Sequence, residues 1–88
     1  MIIKLHLHFK KSYKKRIKGH PNLEKKFKQR VSLFTNNPNH PTLKNHKLTG
    51  SLREYMSFSI TGDIRVIYFE LSADTFIFYD IGSHNQVY

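Results

Sequence analysis

The stretch EYMSFSITGDIRVIYFELSADTFIFYDIGS, residues 54–83, decides the fold. It holds three runs rich in β-branched and aromatic residues, 54–60, 64–70 and 75–81, each of strand length. Thr61-Gly62-Asp63 and Ser72-Ala73-Asp74 between them are hairpin turns. In the first run Met56, Phe58 and Ile60 share one face while Tyr55, Ser57 and Ser59 share the other. The sheet therefore has an apolar side to cover and a more polar side left for chemistry. The last run, Phe76-Ile77-Phe78-Tyr79, is apolar on both faces, which predicts a central strand.

Upstream, residues 2–8 alternate, with Ile3, Leu5 and Leu7 against Lys4, His6 and His8, and this predicts a half-buried strand. Phe9, Tyr13 and Ile17 then recur every fourth residue, a short helix ended by Gly19. After His20-Pro21-Asn22, the residues Leu23, Phe27, Val31 and Phe34 continue at helical spacing. Asn22 is the expected N-cap, Glu24 suits the first turn, and Asn36-Asn37-Pro38 stops the helix. Residues 36–50 read as a loop pinned by Leu43 and Leu48. The expected fold is α+β in the order β-α-α-β-β-β, one domain over residues 1–88, with a basic two-helix hairpin on an antiparallel sheet.

The charge is +9, and its distribution is more informative than its size. Residues 1–30 carry eleven Lys or Arg against one Glu, and residues 31–88 four against five Asp or Glu. The whole excess lies on the first third, so a polyanionic partner is expected: nucleic acid, an acidic protein, or both. Cysteine is absent, which removes disulfides and thiolate metal sites and fits a reducing cytoplasm. The apolar start is too short and too interrupted for a signal peptide, and no run approaches the roughly 18 apolar residues of a membrane span. A cytoplasmic chain with no membrane partner is expected.

Several chemistries fall away. No glycine-rich phosphate loop occurs. The six acids are scattered, which argues against a two-carboxylate hydrolase. His6 and His8 share a side of the expected strand, but two ligands without a third make a poor metal site, so neither metal nor cofactor is expected. His46, Asp63, Arg65, His84 and Tyr88 are better placed, because strand ends and the tail of an antiparallel sheet can converge. Those residue types are what metal-free RNA cleavage requires. One group takes the 2′-hydroxyl proton, another protonates the departing 5′-oxygen, and a cation steadies the phosphorane-like transition state. Histidine as a residue type titrates near neutrality and suits both proton steps. Composition alone leaves each a second reading: Asp63 in a turn, Arg65 paired with Glu70 or Asp80, His84 in a frayed tail.

Four segments in this order carry a resemblance: HKLTG at 46–50, LREY at 52–55, GDIRVIY at 62–68 and GSHNQVY at 82–88. Together they resemble the RelE/ParE toxin superfamily, and within it the YafQ-like mRNA interferases. The resemblance implies a type II toxin–antitoxin toxin, a metal-independent endoribonuclease that cuts mRNA on the translating ribosome. It also implies a cognate acidic antitoxin that wraps and silences the toxin in a hetero-oligomer, the free toxin being a monomer. By position it makes His46, Asp63, His84 and Tyr88 site residues and gives Arg65 the phosphate. His46 and His84 would share the acid–base work, with Asp63 orienting one of them. Two positions depart from the family: Ser59 stands where it has another histidine, and Ile64 where it often has tryptophan. Lys10, Lys11, Lys14, Lys15, Arg16, Lys18, Lys25, Lys28, Lys47 and Arg53 are the expected RNA backbone contacts. Two alternatives stay open: a ParE-like inhibitor of DNA gyrase, and a toxin that binds RNA and antitoxin without cutting.

Overall fold

Long apolar strands and two stripes of aromatic residues dictate a sheet with helices on one face, and a computed structural model describes all 88 residues in that arrangement. The elements are β1 (Ile2–Leu5), α1 (Leu7–Arg16), α2 (Pro21–Asn36), β2 (His46–Lys47), β3 (Met56–Ser59), β4 (Ile64–Ser72), β5 (Thr75–Ser83) and α3 (His84–Val87). The sheet order is β1-β5-β4-β3-β2, so β5 is interior, as its two apolar faces require. β1 runs parallel to β5, and every other pairing is antiparallel.

The core is aromatic. Phe34 of α2 stacks on Phe58 at 4.6 Å and meets Tyr68, Phe76 and Phe78 edge-on. Phe9, Ile17, Leu43, Ile60, Val66 and Ile81 complete the buried cluster. Phe9 and Phe34 anchor the helical stripes, Phe58 and Ile60 the sheet face expected to be apolar. Leu43, in a short 3-10 turn (Pro41–Leu43), pins the long connection from below.

Tyr68 is buried in this cluster, and its hydroxyl donates to Asn45 Oδ1 at 2.7 Å. Burial pushes its phenol up to about 12, with the Glu70 charge adding to the effect. The native chain thus holds a proton that the unfolded chain has lost above its ordinary value of 10.0. Fewer protons bound in the unfolded state make stability fall as pH rises, so this contribution is lost between about pH 10 and 12. Thermal melts of the native protein and Tyr68→Phe across that window should show an alkaline decline in the first that is smaller in the second. Parallel declines would contradict the shift.

The structure departs from the sequence expectations at both ends. The first strand stops at Leu5 rather than His8. His6 caps α1, its Nδ1 accepting the His8 N–H at 3.0 Å, and Leu5 and Leu7 stay exposed. The helical period through Phe9, Tyr13 and Ile17 extends backwards and overrides the alternation, because a capped helix satisfies the backbone that a strand would leave unpaired there. The N-cap of α2 is His20, not Asn22: Pro21 takes the first helical position, where its missing N–H costs nothing. Glu24 accepts the Gly19 N–H at 2.8 Å and closes the turn between the helices.

His46 lies in a strand and not in a loop. β2 is only two residues, His46 opposite Ser57 and Lys47 opposite Met56, which gives the sheet a fifth strand. The polar sheet face is also less open than expected. Ser57 and Ser59 are buried, and the C-terminal segment returns across the face as α3, where Tyr88 Oη donates to Ser57 Oγ at 2.9 Å. Ser83 and Gln86 form a capping box at its start, so His84 stands on an ordered turn and not in a frayed tail.

Candidate active site

His46, Lys47, Leu48, Thr49, Leu52, His84 and Tyr88 line one hollow of about 400 Å³. His46 reaches it from β2 and His84 and Tyr88 from α3, so residues 38 positions apart in the chain share one cavity. His46 Nδ1 lies 2.8 Å from the Lys44 carbonyl oxygen. A carbonyl can only accept, so Nδ1 carries the proton and Nε2 is the basic nitrogen left free. The His84 ring meets the Tyr88 ring edge-on at 4.5 Å, and the Tyr88 N–H donates to the His84 carbonyl at 3.0 Å, closing α3. Two imidazoles and a phenol lining one small hollow can serve a group bound in it.

The other two predicted residues stand apart from that cavity. Asp63 sits in the β3–β4 turn, where Thr61 Oγ1 accepts its N–H at 3.2 Å. Asp63 lines a neighbouring hollow with Lys15, Arg16, Ser83 and Gln86, and its carboxylate makes no hydrogen bond to either histidine. It shares that hollow with Ser83 and Gln86, which stand on either side of His84 in the chain, without orienting an imidazole directly. Arg65 occupies the β4 register position opposite Ser59 and Gly82. It pairs with neither Glu70 nor Asp80, and its Nη1 is enclosed with no acceptor. An unpaired guanidinium nitrogen away from water is costly and well suited to an anionic oxygen.

Asp80 instead holds Arg16, whose Nη1 donates to Asp80 Oδ1 at 3.2 Å and to the Ile81 carbonyl at 2.9 Å. Among the expected RNA contacts Arg16 is therefore committed to the fold, tying α1 to β5. His8 Nε2 lies 3.4 Å from the same carboxylate. Lys10, Lys14, Lys18 and Lys28 rim a groove between the helices that is floored by Phe9, Tyr13 and Phe27. Lys47 lines the histidine hollow, and Lys11, Lys25 and Arg53 are exposed. His6 and His8 do not form a pair on a strand, and no group of three or more His, Asp or Glu is gathered as a metal site would need.

Sequence reasoning missed the groups that hold the tail in place. Ser57 receives the Tyr88 hydroxyl, and Gln86 Oε1 accepts the Ser83 N–H at 2.7 Å. The Ser83-His84-Asn85-Gln86 spacing is a legible capping-box signal, and Ser57 lay on the face read as polar. Gly82 belongs with them. A Cβ there would sit 2.7 Å from Gln86 Oε1 and 2.8 Å from Arg16 Nη1, both already bonded. Gly82→Ala should break the capping box, cost about 0.5–2 kcal/mol in a thermal melt, and displace His84 and Tyr88, lowering any activity of this hollow by about tenfold or more. Full activity in that variant would show that α3 need not be held in this position.

The comparisons agree with this architecture. The sequence profile of the family described as "Bacterial toxin of type II toxin-antitoxin system, YafQ" matches residues 1–88. Among solved structures, YafQ from E. coli strain BL21(DE3) is 25% identical, with a TM-score of 0.76 over 98% of this chain and 96% of that one. The E. coli DinJ–YafQ complex gives 0.72 at 25% identity, over 98% and 96%. A YoeB/ParE toxin from Agrobacterium tumefaciens, 19% identical, shares the fold with a TM-score of 0.77 over 96% and 99%. No curated protein sequence matches.

Proposed function

The chain belongs to the YafQ family of type II toxin–antitoxin toxins, and from that premise we propose that it is a ribosome-dependent mRNA interferase, cutting translating message without a metal. The observation that carries this reading is the shared hollow of His46, His84 and Tyr88. An RNA strand drawn across it presents a ribose 2′-hydroxyl to one imidazole and a leaving 5′-oxygen to the other. The first histidine takes the 2′-proton as that oxygen attacks phosphorus. The second returns a proton to the 5′-oxygen as the P–O bond breaks, leaving a 2′,3′-cyclic phosphate and a free 5′-hydroxyl. His46 offers Nε2 to this exchange because Nδ1 is held by Lys44. Arg65 does not line this hollow, but its unpaired Nη1 is the kind of donor that the non-bridging oxygens require.

The exposed lysines of α1 and α2 fit a ribosomal RNA surface, giving affinity without sequence preference. A cognate antitoxin, as in the DinJ–YafQ complex, completes the system, and acidic side chains would suit the same cationic helices. The experiment adds the purified protein to ribosomes translating a defined message and maps the ends. Cuts at the vacant decoding site, unchanged by EDTA once ribosomal magnesium is restored after chelator treatment of the protein alone, are expected. Intact message at saturating protein would end the reading, and loss of cutting after chelation would end its metal-free form.

A further inference from the structure

A second hollow of about 390 Å³ opens where the sheet edge beyond β2 is left unpaired, and it is lined by Lys26, Arg30, Thr42, Lys44, Ser59 and the Thr61-Gly62 turn. Three cations and three hydroxyl-bearing residues face it, with no carboxylate and no apolar side chain. We propose that this hollow is a phosphodiester subsite, in which Lys26, Arg30 and Lys44 hold an RNA phosphate neighbouring the one that reacts between His46 and His84. The proposal rests on the reading of the chain as an RNA-cutting toxin and adds the place where the strand is gripped.

Lys26 and Arg30 lie four residues apart, on one face of α2, and both are half-buried, whereas their neighbours Lys25 and Lys28 are exposed. Like charges at that spacing repel, and no acid in the fold pairs with either. An anion between them removes that repulsion. Arg30 is already fixed, its Nη1 donating to the Thr42 carbonyl at 3.1 Å, so the rest of its fork is presented without further ordering. Lys44 closes the opposite wall from a left-handed backbone, φ 48°. The same residue links the two hollows, because its carbonyl holds His46 Nδ1 while its side chain lines the cationic pocket. A phosphate seated on Lys44 therefore sits beside the residue that fixes the His46 ring. These three cations are distinct from the exposed lysines of the helical hairpin and face the sheet edge.

The test measures binding of a 2′-O-methyl tetranucleotide, which lacks the attacking hydroxyl, to the intact protein over a range of salt. The comparison is with the triple variant Lys26→Gln, Arg30→Gln, Lys44→Asn, asparagine being tolerant of the left-handed backbone. Each phosphate contact in single-stranded RNA contributes a salt slope of about 0.7. The variant should lose tenfold or more in affinity and about 0.7 in slope, the share of one phosphate, while Arg30→Lys should recover part of the loss. Lys4→Gln, on the β1 edge at the far side of the sheet, should leave both unchanged. An unaltered slope in the folded triple variant, or no tetranucleotide binding by the native protein, overturns the proposal. So does a variant that keeps the slope but no longer binds an acidic protein partner, since the pocket would then serve that partner. A slope change in a protein that cuts no message would leave this subsite standing and remove the nuclease reading instead.

Discussion

His84→Gln should lower cleavage of message on translating ribosomes by about 10²–10⁴-fold, the usual share of a group that moves a proton in the transition state. His84 is exposed at the start of α3, and its ring touches only Tyr88 among the aromatic groups, so the melting temperature should barely move. Glutamine keeps a polar side chain of similar reach while removing the titratable ring. His46→Gln should fall comparably, because His46 lines the same cavity and its Nε2 is left free. Tyr88→Phe is the informative contrast. It removes only the hydroxyl bonded to Ser57 and keeps the ring against His84, so a loss of about tenfold or less separates a positioning role from a chemical one. A His84→Gln protein that cuts at the native rate would mean the hollow is not where the phosphodiester reacts.

The largest stability effect belongs to Phe34→Ala. Phe34 is fully buried, stacked on Phe58 and surrounded by the rings of Tyr68, Phe76 and Phe78. Emptying such a site costs about 3–5 kcal/mol, from lost transfer energy and a cavity that rigid neighbours cannot close. A chain of this size holds roughly 4–13 kcal/mol in all, so the midpoint of a far-UV melt should drop by about 15–30 °C. A fall of only a few degrees would mean that β4 and β5 hold the sheet without α2 on its face. Activity should disappear with folding in this variant and persist in Phe34→Leu at moderate temperature, which separates packing from chemistry.

Much of this was written in local pattern. The period of two in Met56, Phe58 and Ile60 gave the buried face of β3, and the period near four in Phe9, Tyr13 and Ile17 gave the helix that packs on β5 in the same core. Where the two periods overlap, at Leu5-His6-Leu7, pattern alone chose strand, and only the cap formed by His6 shows that helix wins. β2 was illegible for a different reason: two residues carry no periodicity, and His46-Lys47 is a strand only because Ser57 and Met56 lie beside it. The same holds for Asp63, which the sequence placed with the histidines. Its turn was read correctly, but the hollow it lines depends on where α1 lays Lys15 and Arg16.

The amino-acid order by itself determined the long strands and the two main helices, the interior place of the last strand, the cationic first third and the family, because each depends on neighbours in the chain or on composition. Tertiary structure alone decided that α3 folds back to bring His84 and Tyr88 to His46, that Arg16 is spent on Asp80, and that Lys26, Arg30 and Lys44 meet at one edge. Those are distances between residues far apart in sequence. They are set by how side chains fill the space between sheet and helices, which no local period records.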